Sequence, residues 1–419
     1  MSGRFSLLSD RSYRLVFIGR TVSAFGDAML PVALAFGILA NGGRAIDIAY
    51  VFGTQEVAAL LLYLFGGVVG DRHSRKLVMI GADSVRAVSQ SLLGALLIEG
   101  HAPVAALAAC AAVQGLAGGF FLPASDSLVP SLVAPERLQE ANLLQGMGSN
   151  AATILGPALA GILVVAGGGG WAIIVNAASF AANAAMLGFV KVSAGAQPEA
   201  KRELGVFRQL HDGWRAFVSL RWYVILVGCF AGFNFFMGVF LTLGPVVAEQ
   251  YLGGAKAWSA MMTAGAIGSV VGGFALMRLT PRHPLRAGRL LGLPFALMLV
   301  LVALRLPVWI LCVYSAVACA LLLLGSTMTF SSIQRAVSGD VLARVISYDY
   351  FFSYLTLPLG YMVAGLLGSI LDPRTVLALA GAGLVAVALF GACMPSIWRF
   401  TPPEQEAAPS ESSTVGVEQ

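Results

Sequence analysis

Polar residues in this chain gather in short clusters between long apolar runs, and the length of the runs decides what they are. A helix needs about 20 residues to cross roughly 30 Å of hydrocarbon. Twelve runs reach that length: Arg14 to Ala40, Ile46 to Gly70, Leu77 to Ile98, Pro103 to Pro123, Leu138 to Ala166 and Trp171 to Phe189, then Trp222 to Gln250, Trp258 to Met277, Arg286 to Leu304, Val308 to Phe330, Val341 to Leu371 and Thr375 to Met394. They are too long and too uniformly apolar for the alternating, roughly ten-residue strands of a membrane barrel, whereas a helix satisfies its own backbone inside a bilayer. The pattern predicts an all-α polytopic membrane protein. Asn41-Gly42-Gly43, Gly100, Gly167 to Gly170, Gly253-Gly254, Pro307 and Asp372-Pro373 read as the turns between runs.

Composition agrees. Of the 419 residues 58% are hydrophobic and only 11% charged, against about 25% charged in soluble domains. The first run, Tyr13 to Ala40, is longer than the core of a secretory signal and is expected to stay as a helix.

The net charge of +5 changes the picture only through its placement. Arg44, Lys256, Arg305 and Arg374 fall on one side of the predicted membrane and Arg20 inside the first run; the other 21 of the 26 Lys and Arg fall on the side that holds both termini. By the positive-inside rule, both termini are cytoplasmic in a cell (inner or plasma) membrane. The bases mark membrane topology, so no nucleic-acid partner is expected.

The chain divides in the middle. Residues 1–190 and 222–398 each hold six runs, residues 191–221 form a basic cytoplasmic linker, and residues 399–419, with Pro402-Pro403 and four Glu, form a disordered cytoplasmic tail. Leu155-Gly156-Pro157-Ala158-Leu159-Ala160-Gly161 aligns with Leu359-Gly360-Tyr361-Met362-Val363-Ala364-Gly365 at an offset of 204 residues, about half the chain. Two pseudo-symmetric six-helix halves with the substrate between them form a transporter architecture.

Candidate chemistry then sits where charge is costly. Asp27 in the first run and Glu56 in the second approach the midplane, where an unpaired charge costs about 2.5–3.5 kcal/mol. Each either faces a central cavity and binds a proton or a cationic group, or bonds to a neighbouring helix and fixes packing. Arg20 is one possible partner for Asp27, although seven helical residues put their backbones roughly 10 Å apart. Asp349, beside Tyr348 and Tyr350, is a third candidate, with solvation at the cytoplasmic mouth as its other reading. Asn234, Phe235, Phe236, Thr242, Ser326, Thr327, Thr329, Phe351, Phe352, Tyr354 and Thr356 are candidate pocket or core residues, and Gly265, Gly268, Gly272 and Gly273 candidate helix contacts. The five Cys and four His show no metal-ligand spacing, and no phosphate-binding loop is present, so neither an enzyme nor a cofactor is expected.

Gly67-Val-Val-Gly-Asp71-Arg72-His73-Ser74-Arg75-Lys76, between the second and third runs, resembles the Gly-x-x-x-Asp-Arg/Lys-x-Gly-Arg-Arg/Lys loop of the major facilitator superfamily, with Ser74 in place of the second Gly. Gly19 to Asp27, the Asp83-Ser-Val-Arg86 pair and Ala141-Asn142 ahead of Gly156-Pro157 resemble its branch of macrolide-efflux and enterobactin-exporter-like proteins. Gly156-Pro157-x-x-Ala160-Gly161 resembles the superfamily's antiporter signature, with Ala160 replacing one Gly. The resemblance implies a secondary transporter that exports drug-like or siderophore-like organic molecules by alternating access and proton antiport, working as a monomer. It further implies a gating loop in which Asp71 meets the start of the eleventh run, Ser338-Gly339-Asp340-Val341, when the cytoplasmic side is closed. Ala111 stands where proton-driven relatives carry an Arg before Gln114-Gly115, which leaves the embedded acids as proton carriers. A dedicated exporter of one metabolite and a transport-inactive sensor or assembly protein are the alternatives.

Overall fold

A computed structural model describes residues 6–70, 74–191, 214–215, 217–276, 283–336 and 348–398. Among these residues the chain is helical and contains no strand. The first six long helices are α1 (Arg11–Ala40), α2 (Ala45–Gly70), α3 (Arg75–Glu99), α4 (Val104–Leu128), α5 (Leu138–Gly167) and α6 (Gly169–Gly188). The remainder are α7 (Arg221–Val247), α8 (Gly254–Leu276), α9 (Pro284–Leu291), α10 (Leu293–Ala303), α11 (Val308–Ala336), α12 (Thr356–Ile370) and α13 (Pro373–Cys393). Tyr348–Ile370 forms one candidate span of which α12 is the main part.

Ten helices among the described residues are long and apolar enough to cross a membrane, against twelve runs in the sequence. The difference lies in α3, with its five charged residues, and in α8, whose last turn borders residues that are not described. The ninth run, expected as one helix, is broken at Gly292 into α9 and α10. Pro294 has no N–H to give to the carbonyl four residues back, and Gly292 N–H turns to the Arg289 carbonyl at 3.2 Å instead.

α1 packs against α5 and α6, α2 against α4, and α3 against α4 and α6; in the second set α11 packs against α8, α9 and α10, and α13 against α7, α9 and α10. The two sets meet where α2 packs on α12 and α5 on α8. Repeated glycines allow both junctions. A Cβ on Gly161 would lie 2.5 Å from Ser259 of α8, and one on Gly365, 204 positions later, 2.6 Å from Ala49 of α2. Close approach of small residues is how helices associate where no hydrophobic drive separates them from lipid.

The apolar cores show where the halves close. One core joins the late part of α1 and early part of α2 (Leu34, Ile48, Phe52) to the late part of α7 and early α8 (Phe240, Val247, Trp258). At the opposite end, which carries the termini, each half has its own core: Tyr13, Val16, Met79, Leu128 and Leu187 in one, Tyr223, Leu226, Leu285, Ile333 and Ile397 in the other. Among the described residues, the halves are thus joined at the end remote from the termini.

Gly265, Gly268 and Gly272 of α8 face Ser315, Ala316, Cys319 and Ala320 of α11, as their spacing predicted. A Cβ on Gly268 would run into the Ala316 carbonyl, which is backbone and cannot rotate away. Gly268→Leu is therefore expected to destabilise the second half by about 1–3 kcal/mol, the range for overpacking. A melting temperature in detergent equal to wild type would contradict this packing.

Candidate functional site

The first half has a polar interior, built where α6 meets α1. Gly19 and Gly26, two turns apart, leave room for Asn183 and Asn176, spaced by the same seven residues on the antiparallel α6. Asn183 Nδ2 donates to Asp83 Oδ2 at 2.6 Å. Arg86, one turn beyond Asp83 on α3, donates through Nη1 to Asp83 Oδ1 at 3.3 Å and through Nη2 to Asp27 Oδ1 and Oδ2 at 2.6 and 2.7 Å. Its guanidinium lies 3.7 Å from the centroid of the Phe180 ring, a stacked geometry that an ammonium could not reproduce.

Two carboxylates share one guanidinium here, and their exposure differs: the side chains of Asp83, Arg86 and Asp27 are 0%, 6% and 43% exposed. Only Asp27 is open to the outside of the network. Arg20, one possible partner for Asp27 by sequence, is not the one paired with it. Arg20 instead reaches Asp126 at the end of α4, at 3.4 Å, because a neighbouring helix presents its side chains at a matching depth, whereas seven residues along one helix do not. Asp83 and Arg86, which the resemblance counts with the gating residues Gly67, Asp71, Arg72, Arg75 and Lys76, both stand on α3. They lie about 12 and 16 Å along α3 from its start, inside the bundle, so Arg86 is an embedded cation.

Of the loop's charged residues, Arg75 and Lys76 are described. Arg75 Nη1 donates to the Ser127 carbonyl at 3.0 Å, and Lys76 Nζ donates to the carbonyls of Gly188 and Val190 at 2.9 and 2.7 Å. Both cations thus close the C-terminal ends of α4 and α6, where carbonyls lack intrahelical partners and the helix dipole is negative. Gly67 lies within α2; Asp71, Arg72 and the Ser338-to-Val341 segment lie outside the described residues.

Glu56 is half-buried on the face of α2 that meets α12, where Phe52 and Tyr361 have ring centroids 5.6 Å apart. Its charge acts on Tyr354 and Tyr361 of the other half. Among the described residues no Lys or Arg lies within ion-pair distance of it.

Asp349 lines a cavity of about 500 Å³ in the second half, together with Phe230, Phe233, Asn234, Ser326, Thr327, Phe330, Ser331, Ile333, Tyr350, Ser353 and Tyr354. Tyr223 OH donates to Asp349 Oδ2 at 2.9 Å and Ser353 Oγ to Oδ1 at 2.7 Å. Asn234 Nδ2 is engaged with the Phe230 carbonyl at 3.0 Å, so its amide presents to the cavity with that donor already used. Phe235 and Phe236 pack edge to face on each other, while Thr242 and Thr329 are buried and bonded to their own helices, so these four belong to the packing.

The antiporter-like motif lies between the two regions. Gly156 packs on Ala28, the residue after Asp27, and Gly161 makes the α5–α8 junction; Pro157 stands inside α5 between them.

Sequence reasoning missed Asn176, Asn183, Tyr223, Ser353 and Arg289. Arg289 of α9 lies against Gly391 and Cys229, with its guanidinium 4.5 Å from the Phe230 ring centroid and its Nε buried without a hydrogen-bond partner. In sequence, Arg289 follows Arg86 by 203 positions, one short of the 204-residue offset of the repeat.

The comparisons with known proteins agree with this architecture. The family model described as Major Facilitator Superfamily matches residues 16–355. Macrolide efflux protein A of Streptococcus pyogenes is 29% identical over 152 residues, 35% of this chain and 36% of that relative, so the match spans about a third of the relative's length. Enterobactin exporter EntS of Salmonella paratyphi A is 24% identical over 402 residues, 91% and 92% of the two chains. Among solved structures, the nucleoside transporter NupG superposes with a TM-score of 0.76 at 12% identity, over 93% of this chain and 99% of that one. A bacterial homolog of the human lysosomal transporter Spinster, in an inward-facing and unoccupied conformation, superposes at 0.67 and 14% identity, over 95% and 97%; both likenesses concern the fold alone. With the family model spanning most of its length and its helices in the matching fold, this chain belongs to the major facilitator superfamily and is a membrane transporter, not an enzyme.

Proposed function

We propose that the chain exports a small organic molecule across the cell membrane by alternating access, with protons moving the opposite way. The observation that carries this reading is the division of the cores: the halves share one core at the end remote from the termini and have separate cores at the other. With the termini cytoplasmic, as the placement of the bases implies, that arrangement is the inward-open state, ready to load solute from the cytoplasm. Similarity to proteins named for macrolide efflux and enterobactin export favours outward transport.

In this reading, residues 1–190 and 222–398 rock against each other about the Gly161 and Gly365 junctions, with 191–221 as the tether. Asp71 latches the cytoplasmic side in the closed state. Asp27, held by Arg86, ties α1 to α3 beside the cleft. Glu56, which has no ion-pair partner among the described residues, carries the proton, and Asp349 and Asn234 belong to the solute site.

Purified protein in vesicles with an imposed pH gradient tests the proposal. Uphill movement of an organic solute, with measurable proton counter-flow, is the expected result. If no solute from a broad panel moves and a pH reporter shows no flux, the antiport reading fails.

A further inference from the structure

The cavity in the second half has a chemistry of its own. Its wall carries the rings of Phe230, Phe233, Phe330, Tyr350 and Tyr354, and its charged member is Asp349. A carboxylate has about four acceptor sites; Tyr223 and Ser353 fill two of Asp349's, which orients the group and leaves capacity for a ligand. Among the described residues Arg289 is the cation whose charge acts on Asp349. Arg289 is not part of the wall. Phe230 is, and the guanidinium sits 4.5 Å from the centroid of that ring, so the aromatic side chain stands between the cation and the cavity.

Among the described residues, no Lys or Arg lines the cavity. Tyr354 of the cavity wall feels the charge of both Asp349 and Glu56. A ligand entering there meets acids and π-faces, both of which attract cations. In the first half the buried guanidinium, Arg86, is paired with Asp27 and Asp83; in the second, Arg289 stands against the Phe230 ring, and the nearby carboxylate is Asp349 on the cavity wall.

We infer that this cavity is the solute site and that it takes an amphipathic organic cation, with Asp349 as the counter-ion and Phe230 as the partition that hides Arg289. The inference rests on the export reading for its biological sense, but its test is a binding measurement and does not depend on transport. About 500 Å³ suits a drug-sized body.

Tetraphenylphosphonium and tetraphenylborate have the same shape and opposite charge, and neither titrates. Equilibrium dialysis of detergent-purified wild-type protein is expected to show binding of the phosphonium at least about tenfold tighter than that of the borate. Asp349→Asn should weaken phosphonium binding by about tenfold or more, in the range for removing one partner of a desolvated charge pair, whereas Asp349→Glu should retain most of it. Ser326→Trp, which fills the cavity from the opposite wall, should abolish binding of both ions in the monodisperse fraction. Phe230→Ala should narrow the preference by uncovering Arg289. Equal binding of the two ions by wild type, or phosphonium binding unchanged in Asp349→Asn, overturns the inference. Vesicles that export other solutes while the phosphonium fails to bind would sink the cation site and leave the export reading standing. Phosphonium binding with no transport of any solute would do the reverse.

Discussion

Replacing Arg86 with leucine is expected to lower the stability of the protein by about 3–5 kcal/mol, the cost of removing one partner from a buried ion pair. The reason is Asp83, whose side chain is 0% exposed and, among the described residues, keeps only Asn183 as a donor once the guanidinium is gone. Asp27 matters less, because at 43% exposure water can solvate part of its charge. The asymmetry gives an ordered series. Combining Arg86→Leu with Asp83→Asn should recover more stability than combining it with Asp27→Asn, and the triple neutral variant should recover most of all. Arg86→Lys should fall between wild type and Arg86→Leu, since a single ammonium cannot bond both carboxylates and stack on Phe180 at once. Melting temperature and the monodisperse fraction on size exclusion read the series. Arg86→Leu protein as stable as wild type would show that the network holds nothing together.

That network also marks the limit of what the residues reveal alone. The apolar runs were legible because length and hydropathy act within one helix, and Gly268 was legible because small residues at helical spacing have few other uses in a bilayer. Asp27 and Glu56 stood out as acids in apolar runs. Their partners did not, because pairing depends on the depth and rotation of neighbouring helices. Arg86 was visible as an acid–base pair with Asp83, three residues apart on one helix face, but its stronger contact crosses to α1 over 59 positions of chain. The break at Gly292 was foreseeable from Pro294, yet the apolar run passes through it without a change in composition. Arg289 was counted with the cytoplasmic bases because hydropathy alone cannot tell a loop arginine from one that stands behind a phenylalanine; the repeat could have told them apart. At its offset of 204, seen for Gly156 and Gly360, the repeat brings Arg86 within one position of Arg289, while the packing of those two glycines, on Ala28 and Phe235, sets Asp27 against Asn234.

Glu56→Gln is expected to reduce solute movement driven by a pH gradient by about tenfold or more while leaving membrane insertion and downhill solute exchange close to wild type. The three embedded acids on the open side of the helices differ in what meets their charge. Asp27 has Arg86 at 2.6 Å, and Asp349 has two hydroxyl donors with Arg289 nearby. Glu56 has no ion-pair partner among the described residues, and a charge left unpaired at such depth costs at least about 2.5–3.5 kcal/mol. A proton relieves that cost, and so does a cationic solute. Glu56 also sits at the α2–α12 junction, next to Phe52 and Tyr361 and with Tyr354 in its field, where a change in its charge is felt by both halves. Glutamine mimics the protonated side chain in size and polarity, so the variant should resemble a carrier fixed in the proton-loaded state, able to exchange solute but not to couple it. Equal pH-driven transport by Glu56→Gln and wild type, at matched protein levels, would remove Glu56 from coupling. The same assay on Asp27→Asn, scored on protein that remains monodisperse, then decides whether the proton passes through the Arg86 network instead.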